Sequence, residues 1–149
     1  MKYFFCAILA LSICGCVQQE ATREEMNHEY IIDYPGVQKN VIFTRSLKWI
    51  ANNFKSSKAV IEYQDTASGS IIGNGAAPTS FFAGPDMLFT MNIDVRDGRA
   101  RYRFINIQVT AVGGPGSIGN LQMWHVEAKR IFDDIVARLK IATNTSDDF

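Results

Sequence analysis

Beyond residue 16 this chain contains no cysteine, and across its 149 residues neither sign of charge is in excess. Fifteen Lys and Arg balance fifteen Asp and Glu, so nucleic-acid binding driven by net charge is excluded; phosphate contacts need surplus cations. Without further thiols no disulfide can tie the rest of the chain, and its core must hold the fold alone. Histidine is also scarce, with only His28 and His125 present. No H-E-x-x-H, G-x-S-x-G or G-x-x-x-x-G-K spacing occurs, which removes the commonest zinc, nucleophile-elbow and phosphate-loop signatures. "GNGAA" and "GGPGSIGN" are glycine-rich but lack a following Lys-Ser/Thr, and read as turns. The sequence therefore calls for no enzyme activity, cofactor or metal.

Long apolar runs are missing as well. The longest, "YFFCAILALSIC" at residues 3–14, is broken only by Ser12. As a helix it would span roughly 18 Å, short of a hydrocarbon core about 30 Å thick. With Lys2 before it and small Gly15 after it, the run suits the apolar region of a secretory signal.

All three cysteines (Cys6, Cys14 and Cys16) lie in or beside that signal. A zinc site would need four ligands, and a redox pair would use C-x-x-C rather than C-x-C spacing. "ICGC" at residues 13–16 instead resembles the bacterial lipobox: an aliphatic residue, then a small residue directly before the cysteine. The resemblance implies that Cys16 is lipidated and becomes the first residue after cleavage, with Cys6 and Cys14 discarded. Cutting before Cys14 would place bulky Ile13 where a small residue belongs. Acyl chains contribute about 0.8 kcal/mol per buried methylene, so two or three anchor durably. Val17, rather than Asp, follows the cysteine. By resemblance to the sorting rule of Gram-negative lipoproteins, this favours the outer membrane.

The expected organisation is a signal at residues 1–15, a lipidated cysteine and solvated tether at 16–28, one folded domain at 29–141 and a disordered tail at 142–149. Within the domain, "EYIIDY" is a short strand closed by Pro35-Gly36. Phe43, Leu47, Ile50 and Phe54 then recur with the period of an amphipathic helix over 37–54, with Trp49 beside the stripe as core. "AVIEYQD" and "GSIIGNGA" form a hairpin, and residues 77–85 a loop. The clearest signal is "MNIDVRDGRARYRF", where Asp97-Gly98 is a preferred two-residue turn. Centring the register there pairs Val95 with Ala100, Ile93 with Tyr102 and Met91 with Phe104 on one face. Asp94 then meets Arg101 and Asn92 meets Arg103 on the other.

After Phe104 the alternation slips, because Ile105, Ile107 and Val109 fall on the polar phase. Either a β-bulge resets it or the far end of that face is apolar. Asn120 is a candidate cap for a last helix over 121–140, with Trp124, Ala128, Ile131, Ile135 and Leu139 on one stripe. The order β-α-β-β-β-β-α predicts an α+β fold: an antiparallel sheet of four or five strands, two helices on one face and the other face open.

That order, with "LKWIANNFKSSKAVIEYQD", "GSIIGNG" and "NIDVRDGRARYRF", is similar to a bacterial family of secreted and lipid-anchored domains of unknown function with a TATA-binding-protein-like fold. The resemblance covers about residues 29–139 and implies a fold and an address, but supplies no catalytic residues. A shared fold gives no licence to infer DNA binding.

The most distinctive surface feature is "RDGRARYR". Arg96, Arg99, Arg101 and Arg103 should project from the open face around one hairpin. They serve either as a solvated sheet face partly paired with Asp94, or as an anion site for an envelope protein or another anionic envelope component. The reading is a lipid-anchored envelope binding or scaffold module using that face, with the membrane as one partner and no nucleic acid. The alternatives are a periplasmic enzyme using loop residues 73–85, and an exclusion or inhibitor lipoprotein blocking a surface receptor.

Overall fold

The computed structural model describes residues 27–54, 60–80, 86–109 and 121–145. In chain order the elements are β1 (His28–Asp33), α1 (Lys39–Asn53), β2 (Val60–Asp65), β3 (Ser70–Pro78), β4 (Asp86–Arg96), β5 (Arg99–Val109) and α2 (Leu121–Asn144). The strands make one antiparallel sheet in the order β1-β5-β4-β3-β2. This is the α+β arrangement expected from the sequence, with five strands.

The central hairpin sets the geometry. Gly98 adopts φ +70° in the turn, a conformation glycine reaches without a Cβ clash. From there Val95, Ile93 and Met91 pair with Ala100, Tyr102 and Phe104, in the expected register. All six are buried. Both helices cover this face: α1 buries Ile42, Phe43, Trp49 and Ile50, and α2 buries every residue of its predicted stripe. Phe132 stacks on Phe104 with centroids 4.2 Å apart and meets Phe89 edge-on at 5.1 Å. A Cβ at Gly75 would lie 2.5 Å from the Phe89 ring, so glycine there lets the aromatic cluster seat against β3.

The slip after Phe104 is a bulge. Leu88 pairs with Gln108, and the next pair is Thr90 with Ile105, so β5 carries one extra residue opposite Phe89. Asn106 absorbs it at φ +54°, the one non-glycine positive φ among the described residues. Asparagine tolerates that region better than most side chains. The bulge returns Ile107 to the core at 6% exposure, and Val109 packs against it. An apolar patch on the open face is thereby excluded at these two residues.

Three boundaries differ from expectation. His28 was expected in the tether but is the first residue of β1, paired opposite Phe104. A tail was expected from residue 142, yet α2 runs to Asn144 with Thr143 fully buried. Arg45 Nη1 donates to the Thr143 carbonyl at 2.7 Å, which satisfies an orphan acceptor of the last turn. The strand β3 likewise extends through Pro78, two residues into the expected 77–85 loop. Asn120 and residues 81–85 lie outside the described residues, as do Cys16 and the signal. Among the described residues no helix is long and apolar enough to cross a membrane.

Candidate functional site

The face opposite the helices is built by strand alternation. Glu29, Ile31 and Asp33 of β1 sit in register with Arg103, Arg101 and Arg99 of β5. On β4, Asn92 and Asp94 lie opposite Arg103 and Arg101, and Arg96 lies opposite Arg99. All four predicted arginines therefore fall on one side of two neighbouring strands.

Their surroundings differ. Arg99 Nε donates to Asp33 Oδ1 at 2.6 Å, in an exposed pair. Arg101 Nη2 donates to Asp94 Oδ2 at 2.8 Å and Arg103 Nη2 to the same oxygen at 3.2 Å. The Asp94 hydrogen bond, reinforced by its charge, pushes the Arg101 pKa up. Arg96 is exposed and has no ion pair among the described residues. Like charges directly opposite each other on paired strands are unfavourable. The Arg96–Arg99 pair is such a conflict, and Asp33 relieves only its Arg99 half.

Beside that pair lies a groove of about 320 Å³, lined by Ile31, Ser68, Asp94, Arg96, Arg99 and Arg101 among others. Ile31 is 55% exposed there. Farther along, a row of polar side chains crosses four strands. Asn106 Nδ2 donates to Thr90 Oγ1 (3.4 Å), Thr90 Oγ1 to Asn74 Oδ1 (2.9 Å), and Asn74 Nδ2 to Glu62 Oε1 (2.5 Å). The open face thus combines one guanidinium without an ion pair among the described residues, Arg96, at one end with a self-satisfied polar row at the other. Chemically it can accept oxyanions near Arg96.

Residues 28–110, more than half the chain, match the family described as a domain of unknown function (DUF4468) with TBP-like fold. The chain belongs to that family. A DUF4468 protein of Bacteroides ovatus is similar in fold, with TM-score 0.67 and 14% identity over 83% of this chain and 88% of that one. A TBP-like protein of Parabacteroides distasonis gives TM-score 0.68 and 10% identity over 81% of this chain and 94% of that one. No curated protein matches. At these identities the likeness concerns the fold. The DUF4468 match contains all five strands and the arginine hairpin, and it ends before α2.

On that helix lie two features the sequence reading missed. Glu127 is buried, with its side chain 7% exposed. Arg130 grips it through Nε (3.0 Å) and Nη2 (2.8 Å), while Ser80 donates from its backbone N (2.5 Å) and Oγ (3.0 Å). The Arg130 hydrogen bonds, with those from Ser80, draw its pKa down to about 2. This cluster ties the segment after β3 to α2. A carboxylate on the core side of a helical stripe, three residues after Trp124, was the available signal. The second feature is the meeting of His28 with His125, whose rings stack across β1 and α2; no local spacing announces it.

Asp133 and Asp134 make i,i+4 pairs with Lys129 (2.7 Å) and Arg138 (2.8 Å) respectively. Tyr30 OH also donates to Asp133 at 2.8 Å. A cleft of about 350 Å³ opens between the end of α1, the end of β3 and α2, edged by Trp49, Phe54, Arg130 and Arg138. Both of its arginines already hold carboxylates. Among the described residues no three His, Cys, Asp or Glu side chains converge as metal ligands.

Proposed function

We propose that this DUF4468 domain is a lipid-anchored binding module of the cell envelope, held at the membrane through Cys16. In this reading it contacts an anionic partner through the arginine end of its open sheet face. The observation that carries the reading is the Arg96–Arg99 pair beside the Ile31 groove, where one guanidinium is unmatched. Two like charges kept opposite each other run against sheet stability, and such local conflicts concentrate at functional sites. A carboxylate or phosphate borne by a partner would relieve the conflict, with guanidinium geometry suited to two-point recognition. The lipobox-like "ICGC" and the Val17 that follows it support an outer-membrane address.

The test is photo-cross-linking in cells from a benzophenone side chain placed at Ile31. The adduct should form in the native background and be lost in Arg96→Glu, with the thermal unfolding midpoint unchanged. An equally strong adduct in Arg96→Glu would refute the anionic contact.

A further inference from the structure

His28 opens β1, His125 stands near the start of α2, and the chain has no other histidine. Their rings stack with centroids 5.2 Å apart and planes inclined by 27°. His28 Nε2 and His125 Nδ1 are both buried, and neither has a hydrogen-bond partner among the described residues. Behind them, His28 meets Phe132 at 5.3 Å, and Phe132 stacks on Phe104. The pair therefore closes the end of the aromatic core at the residue where the first strand enters the sheet.

Neutral imidazoles pack here as flat, largely apolar bodies. Two imidazolium rings would place like charges against each other on atoms screened from water, where Coulomb repulsion is strong. The charged groups facing His28 come from α2: His125 and Lys129 oppose its protonation, and Asp133 favours it. Asp133 is already engaged by Lys129 and by Tyr30 OH. The β5 residue opposite His28 is Phe104, which carries no charge. Burial first, and His125 second, hold the His28 pKa below its ordinary 6.5. The other end of β1 is fastened separately, by Asp33 to Arg99 and by the Tyr34 N–H donating to the Gly98 carbonyl.

We propose that the His28–His125 stack is an acid-released latch. With both rings neutral it holds the leading end of β1 against α2. With both protonated that end separates and uncovers the Phe104–Phe132 stack, while the Asp33 end stays paired. The latch is independent of any partner of the open face.

The test is amide hydrogen exchange with histidine NMR on the full-length chain in detergent micelles, compared at about pH 7.5 and about pH 5. Protection at residues 29–31 should fall by about tenfold on acidification, because the folded state holds the His28 pKa below its ordinary value. Protection at residues 100–104 beside β4 should change far less. His28→Phe keeps a ring in the stack without its charge and should keep residues 29–31 protected at both pH values. His125→Phe should move the His28 titration upward and shrink the acid loss at 29–31 without abolishing it, because burial still opposes the His28 charge. Unchanged protection at 29–31 in the native chain would overturn the latch. So would an equal acid loss in either phenylalanine variant.

Discussion

The Asp97 carboxylate, in the turn between β4 and β5, accepts a hydrogen bond from the Lys39 backbone N–H at 2.7 Å. Lys39 is the first residue of α1, and its own cap position, Gln38, makes no side-chain cap bond. A residue 58 positions away therefore does the capping, and it brings negative charge to the positive end of the helix. The same turn receives the chain between β1 and α1, where Gly98 N–H donates to the Val37 carbonyl at 2.9 Å. One Asp-Gly pair thus reverses the central hairpin and starts a helix.

Asp97→Ala should lower stability by about 1 kcal/mol through loss of that cap. Asp97→Asn keeps an acceptor and a favoured turn residue, and should cost much less. Urea unfolding of both variants measures the contrast; equal losses would show that the negative charge of Asp97, rather than its hydrogen bond, carries the effect.

Asn106 should be replaceable by glycine at little cost, because glycine adopts positive φ freely. Asn106→Val should destabilise by about 1–2 kcal/mol, since a β-branched side chain resists that conformation. A tolerated valine would mean that the β5 bulge is not where Asn106 places it.

The register of the β4–β5 hairpin was legible as far as Phe104 because an Asp-Gly turn fixes its origin and period-two alternation fixes the pairs up to the bulge. The two helical stripes were legible for the same periodic reason. The bulge was visible only as an ambiguity: Ile105, Ile107 and Val109 fit a reset phase or an apolar face equally well, and nothing local marks Asn106. The end of α2 was hidden because Thr143 is polar, and its burial depends on Arg45 reaching from α1. The histidine stack lay beyond reach, since 97 positions separate two residues with no shared pattern. Of the arginine site, position on the open face could be read from alternation. Which arginine stays unpaired could not, because Asp33 lies on another strand whose neighbours the sequence does not name.

Glu127 gives the fold an acid-sensitive component. Its folded pKa of about 2 lies below its ordinary 4.5, so the unfolded chain binds its proton more readily. The stabilisation is complete above about 4.5 and is lost as pH falls through that window towards 2. Allowing for the solvent exposure of Arg130, it amounts to about 1–2 kcal/mol. Glu127→Gln should reduce stability at neutral pH and flatten the pH dependence between those values, as read by urea midpoints. A slope identical to the native one would assign the acid sensitivity elsewhere.

Cys16→Ser should abolish labelling by radioactive palmitate and leave the protein unprocessed or released from membranes. Label persisting in that variant would place the lipid on another residue.

In the proposed function the helix-free face, rather than the helical layer, meets the partner. The most direct measurement compares in-cell photo-cross-linking from Ile31 on the open face with that from Ala137, an exposed residue on the outer side of α2. One discrete adduct is expected from Ile31 and none from Ala137. A discrete adduct from Ala137 with none from Ile31 would contradict the proposed function.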